Sequence, residues 1–174
     1  MNKNKNKIEL DDVDHQILDI LQHTGRDSAS HIAHMIGMSV PAVSERIKKL
    51  QDTGVIEGFH ATIDAKLVGL DVSAFITVIS ESSAHYNELV DAANQTHEVV
   101  QCFTTTGIGS HVLLIQTKNT SSLERLLRRI QSWPGVTRTE TQLILNSYKK
   151  DNIINIPWFC LKLNNKREEN IYDY

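Results

Sequence analysis

Residues 29–58, ASHIAHMIGMSVPAVSERIKKLQDTGVIEG, limit the fold of this chain more than any other stretch. Ile32, Ala33 and Ile36 share one face at helical spacing, with Ser28 or Ser30 as the candidate N-cap. Gly37 is placed to end that helix, because a residue without Cβ takes positive φ at no steric cost. Ser39 is the next N-cap candidate, and Pro41 falls in a first helical turn, where its missing N–H does no harm. Val43, Ile47 and Leu50 then repeat at intervals of four and three, which makes one buried stripe. Two short helices joined by a Gly-containing turn predict a helix-turn-helix. Gly54-Val55-Ile56-Glu57-Gly58-Phe59 reads as the strand of a following wing.

The face opposite the stripe carries Pro41, Ala42, Ser44, Glu45, Lys48 and Lys49, with Arg46 close by. Small residues at a helix N-terminus let the backbone sink into a DNA major groove, where the helix dipole favours phosphate. Arg46, Lys48 and Lys49 are expected to reach phosphates on the groove walls, contacts that position a protein without reading sequence. The same pattern also fits an ordinary amphipathic hairpin with a solvated basic face.

Charge bears on that choice. The net charge of −3 counts mildly against nucleic acid, since a dedicated nucleic-acid domain is often basic. The relevant field is local, however, and Asp11, Asp12, Asp14 and Asp19 fall in a different predicted helix from the cations of 46–49. That helix is capped by Asp11 or Asp12, has Val13, Ile17, Ile20 and Leu21 as its stripe, and ends at Thr24-Gly25. It gives the helix-turn-helix a surface to pack on. No apolar run approaches the ~18 residues that span a bilayer, so no membrane partner is expected. The lysine- and asparagine-rich start has no apolar segment after it to make a signal peptide. Cys102 and Cys160 are too few for a disulfide framework and lack metal-ligand spacing, which points to the cytoplasm.

The pattern changes after residue 70. VSAFITVIS (72–80), VVQCFTTT (99–106), HVLLIQT (111–117) and residues 136–145 read as strands. Tyr86, Leu89, Val90 and Ala93 mark one helix, and Leu123, Leu126, Leu127 and Ile130 another, capped by Ser121 or Ser122. The order β-α-β-β-α-β predicts a ferredoxin-like antiparallel sheet with both helices on one face. On the other face Ile79, Phe103 or Leu114, depending on register, would stand exposed, which argues for self-association as a two-fold dimer. The class is therefore α+β. A flexible arm (1–9) precedes a winged helix-turn-helix (10–64), a linker (65–70) and a ferredoxin-like domain (71–148). In the extension at 149–174, Trp158 and Phe159 are expected to add to a dimer interface or cover a sheet edge, before a polar end expected to be disordered.

These residues carry a family resemblance. From Leu10 to Leu145, in one register, the chain resembles the Lrp/AsnC transcription regulators: LDDVDHQILDILQHTG and the helix-turn-helix in the first half, TTTGIGSHVLLI and PGVTRTETQLIL in the second. The resemblance implies a sequence-specific regulator that binds double-stranded DNA, dimerises, often assembles further into octamers, and responds to an amino acid or related metabolite. Carried over by position, Ser39, Pro41, Ala42, Ser44, Glu45, Arg46 and Lys48 would face DNA. The effector would lie at the turn holding Thr105, Gly107, Gly109, Ser110 and His111, near Thr139 and Thr141. One departure stands out. Ser110 replaces the family's usual aspartate, and His111 its aromatic residue. A carboxylate can bind an ammonium through a charge-assisted hydrogen bond worth about 1.5–3 kcal/mol, whereas serine offers only a neutral one. Either the effector differs, the regulator has none, or Ser110 simply closes a hairpin.

Other chemistry is poorly supported. His31 and His34 are one helical turn apart but lack a third ligand, so no metal is expected. Gly107-x-Gly109 opens no helix and makes a poor nucleotide loop, and no cofactor is expected. Arg138 and Glu140 are expected to face opposite sides of their strand and not to pair. No nucleophile has a base beside it in a recognisable motif, so no catalytic residue is assigned. Two alternatives are a haem-pathway decarboxylase on the same fold, which would show a degraded DNA face, and a scaffold that only oligomerises.

Overall fold

The computed structural model describes residues 8–150 and 152–156. They form two compact units: one runs to Ala61 and takes in the chain from Lys150, and the other spans Thr62–Lys149. Trp158, Phe159 and most of the N-terminal arm lie outside the described residues.

The first unit holds three helices, α1 (Asp12–His23), α2 (Ala29–Ile36) and α3 (Val40–Asp52). Asp11 begins α1 with a capping box, accepting from the N–H groups of Val13 and Asp14 while Asp14 reaches back to the N–H of Asp11. Ser28, rather than Ser30, caps α2, accepting from His31 N at 3.2 Å. Gly37 takes φ 70° in the left-handed region and turns the chain into α3. Ile17, Leu18, Leu21, Ile32, Ala33, Val43 and Leu50 make the core, so each helix spends one stripe on it. Burying side chains of this size contributes about 1.5–3 kcal/mol each.

The wing expected at 54–59 is not a strand. Ile56 N donates to Leu50 O at 3.0 Å, which closes the end of α3, and Val55 and Ile56 pack against the helical core. A strand exists only through pairing, and this segment meets no partner strand among the described residues. The described start of the C-terminal extension lies with the first unit. Ile154 N donates to Gln22 Oε1 at 2.8 Å and Ile156 packs on the helical core, so this part joins the first unit and covers no edge of the sheet.

The second unit follows the predicted order: β1 (Val72–Ser80), α4 (Tyr86–Asn94), β2 (Val99–Thr104), β3 (His111–Thr117), α5 (Thr120–Gln131) and β4 (Val136–Leu143). The strands lie in the order β2-β3-β1-β4, all antiparallel. Ala74, Ile76 and Val78 of β1, with Leu113 and Ile115 of β3, point to one face, where they pack on Leu89 and Ala93 of α4 and Leu123, Leu126 and Ile130 of α5. Asn119 caps α5 through Ser122 N, two residues before Ser121 and three before Ser122, the serines expected in that role.

Neither α4 nor α5 packs on the other face. Phe75 pairs with Leu114 and Phe103 with Val112, and Ile79 lies on the same side, so all three expected residues share this face and Phe75 joins them. Phe103 is 45% exposed.

Candidate functional site

In α3 the residues at 41, 44, 45 and 48 recur at three- and four-residue intervals, opposite the buried Val43 and Leu50. Pro41, Ser44, Glu45, Lys48 and Lys49 are exposed, and Ala42 is half-buried. Ser39 occupies the N-cap position in an extended conformation, but its hydroxyl makes no capping hydrogen bond. The exposed Ser39 hydroxyl is thus not spent on capping α3, whose N-terminal end carries the partial positive charge that suits an anion such as a phosphate.

Arg46 is placed otherwise. Its Nη1 donates to Asp11 Oδ2 at 2.7 Å and to Asp14 Oδ1 at 2.8 Å, and Asp14 is only 4% exposed. In this structure Arg46 turns toward α1 rather than standing out in solvent as Lys48 and Lys49 do. The guanidinium is occupied by α1, because a buried carboxylate needs a cation more than a solvated groove does. The backbone N–H of Asp14, together with Arg46, holds the Asp11 carboxyl below its usual range. Separation of Asp11 and Asp14 from the cationic face holds for Lys48 and Lys49 but not for Arg46.

The residues of the expected effector turn have unequal access to solvent. Thr105 and Gly107 are exposed, Gly107 at φ 113°. Thr105 N donates to Ser110 O at 3.2 Å, closing the turn. Gly109 is buried: a Cβ there would clash with Thr77 Cγ2 and sit 3.1 Å from Val78 O, so a side chain fits only if its neighbours shift. Ser110 spends its hydroxyl inside the protein, within 3.3 Å of Val78 O, accepting from Ser80 Oγ at 3.0 Å, and 2.9 Å from His111 Nδ1. These are the contacts of a residue that closes a hairpin.

His111 is fully buried, its ring centroid 4.3 Å from that of Tyr86. Burial pushes its pKa down. Its side chain is closed off from solvent, unlike Thr105 and Gly107 of the same turn. The alternation of β3 turns His111 to the helix-covered side. Thr139 lies opposite Val78, whose other neighbour is His111, so two strand spacings separate it from the turn. Its hydroxyl accepts from Gln131 Nε2 at 3.1 Å. Thr141, opposite Ile76, lies two residues further along. The turn therefore draws Thr105, Gly107, Gly109 and Ser110 together and leaves Thr139 and Thr141 apart. Ser80 and Tyr86 belong to the Ser110–His111 cluster and escaped sequence reasoning, because no local pattern links residues 24–30 positions apart.

Arg138 and Glu140 form an ion pair, contrary to expectation. Residues two apart on a strand share a face. Among the described residues, no group of three or more His, Cys, Asp or Glu side chains is placed to hold a metal ion. Among the described residues, no helix is long and apolar enough to cross a membrane.

Comparison with known proteins decides the family. Residues 10–51 match the AsnC-type helix-turn-helix domain and residues 72–154 the Lrp/AsnC ligand binding domain. The transcriptional regulator FL11 of Pyrococcus horikoshii is 34% identical over 144 residues, covering 83% of this chain and 95% of its own. This chain belongs to the Lrp/AsnC family of transcription regulators. The regulator LrpA of Mycobacterium tuberculosis is 33% identical over 82% of this chain and 94% of its own. Among solved structures, Escherichia coli AsnC superposes with a TM-score of 0.78 at 26% identity, over 84% of this chain and 99% of that one. The feast or famine regulatory protein of M. tuberculosis, complexed with L-methionine, does so with a TM-score of 0.79 at 32% identity and the same coverage. These relatives carry names of regulators, not of enzymes.

Proposed function

We infer that this Lrp/AsnC regulator reads double-stranded DNA with the exposed face of α3 and works as a homodimer whose further assembly responds to a small metabolite. The observation that carries the DNA reading is the solvent face of Ser39, Pro41, Ser44, Glu45, Lys48 and Lys49, mounted on a helix whose other side is locked into a core. Ser44 and Glu45 are the candidates for reading base edges, and Lys48 and Lys49 for binding phosphate. Two such helices in a dimer would enter successive major grooves about one helical turn apart.

Self-association rests on the open sheet face with Phe75 and Phe103, apolar surface that a monomer would leave in water. The effector class, an amino acid or related metabolite, rests on the L-methionine complex of the M. tuberculosis relative. In this chain Thr105 and Gly107 offer the accessible part of the turn, and no carboxylate stands at position 110 to receive an ammonium. The effector acts only if it prefers one assembly state to another.

Fluorescence anisotropy with DNA from the gene's own upstream region, at two salt concentrations and with and without an amino-acid mixture, tests the reading. Tight, salt-sensitive binding that the mixture shifts supports both parts of it. Binding indifferent to the mixture removes the amino-acid effector, and a folded protein that binds at neither salt removes the DNA claim for that promoter.

A further inference from the structure

At the far end of β2 and β3 from the 105–111 turn, a cleft of about 410 Å³ opens between the sheet and α5. The seven residues of β3, at ~3.3 Å each, put it roughly 20 Å from that turn. Leu70 and Leu126 give it an apolar lining, and Lys118, Arg125 and Arg129 bring three cations to it against one carboxylate, Glu98. Arg125 and Arg129 are four residues apart on α5 and so share a face.

The charges do not cancel. Arg129 Nη2 donates to Glu98 Oε2 at 2.6 Å. Burial works to raise the Glu98 carboxyl, but Arg129 and a backbone donor outweigh it and hold the group below its ordinary range, so it stays ionised. Glu98 is thus committed to Arg129. Arg125 donates only to Ser122 Oγ, at 2.9 Å, and among the described residues no carboxylate pairs with Arg125 or Lys118. The cleft keeps two uncompensated positive charges beside leucine side chains. A guanidinium fork matches the two oxygens of a carboxylate, an ammonium adds a point charge, and the leucines exclude water from a short carbon chain.

We propose that this cleft binds a small carboxylate metabolite of dicarboxylate size, its oxyanion held by Arg125 and Lys118 and its carbon chain lying on Leu70 and Leu126. The site is separate from the turn, and it does not depend on DNA binding. A phosphate offers similar oxygens, and the test distinguishes the two.

Isothermal titration of the full chain with 2-oxoglutarate, succinate, inorganic phosphate and leucine provides that test. The expected result is saturable binding of at least one dicarboxylate, weakened about tenfold or more by Arg125→Gln and by Lys118→Gln and unchanged by Ser110→Ala. Both cations are exposed, so their loss leaves the fold intact, which circular dichroism checks. No saturable dicarboxylate binding, binding indifferent to both substitutions, or tighter binding of phosphate than of either dicarboxylate overturns the proposal.

Discussion

The guanidinium of Arg46 lies 2.8 Å from the carboxylate of Asp14, a side chain almost wholly removed from water. A cation on α3 is therefore used to settle a buried charge on α1. Arg46→Gln leaves Asp14 without its cation, and removing one partner of a buried polar pair costs about 1–3 kcal/mol. The first unit of the variant should lose about that much unfolding free energy in urea, while the salt dependence of the DNA binding that remains stays as in the parent. A stable variant with a shallower salt slope would instead make Arg46 a phosphate contact.

Lys48 has no such partner among the ion pairs of the described residues and stands exposed on α3. Lys48→Ala should weaken binding to all DNA sequences about equally and lower the salt slope by about 1, as expected for one lost phosphate contact. Anisotropy titrations over a salt series read both quantities. An unchanged slope removes Lys48 from the interface, and changes at Ser44 or Glu45 should alter sequence preference instead.

The difference between Arg46 and Lys48 shows what local pattern can and cannot convey. Helices and strands were legible because their periods are local: Val43, Ile47 and Leu50 need only one helix to make a stripe, and 72–80 needs only its β-branched run. Roles set by distant partners were not. Arg46 meets Asp14 across 32 residues and Ser110 meets Ser80 across 30, and no spacing rule reports such pairs. The Val55-Ile56 pair looked like a strand because apolar content does not reveal whether a neighbouring strand exists to pair with. Arg138 and Glu140 were misplaced for a simpler reason, since their spacing of two puts them on one face.

Gly109 should accept a side chain only if its neighbours shift. A methyl group added there clashes with Thr77 Cγ2 and sits 3.1 Å from Val78 O, an overpacking of the kind that costs about 1–3 kcal/mol. Gly109→Ala should lower the urea midpoint of the second unit. Adding Thr77→Ser, which deletes the nearer clashing atom, should restore part of the loss. An unaffected midpoint would show that the hairpin moves freely at this point.

His111 gives stability a dependence on pH. Burial lowers its native pKa beneath the ordinary value of 6.5, so on acidification the unfolded chain takes up this proton first. Stability should therefore fall as pH drops below about 6.5, until the native pKa is reached, and then level off in this contribution. The Tyr86 ring and the Ser110 hydroxyl contact His111, neither supplies a negative charge, and burial alone drives the shift. Urea midpoints of parent and His111→Phe between pH 7.5 and pH 5 should diverge, the parent losing more stability as the pH falls. Parallel curves would mean that His111 opens to solvent and protonates in the native state.

The open sheet face makes the last test, because burial and charge act there in opposite directions. Phe103 projects from β2, an edge strand in the order β2-β3-β1-β4, and shares its face with Phe75. Neither ring contributes to the helix-covered core, so a charge at 103 leaves the monomer fold intact. In a dimer built on this face, the same charge would be carried into an apolar contact without a partner, an expensive burial. Phe103→Asp should therefore yield a folded monomer by sedimentation velocity at concentrations where the parent is a dimer, and should bind DNA more weakly because two half-sites are no longer engaged together. A variant that remains dimeric would move the association to another surface of the chain and leave Phe103 as exposed apolar surface of the free protein.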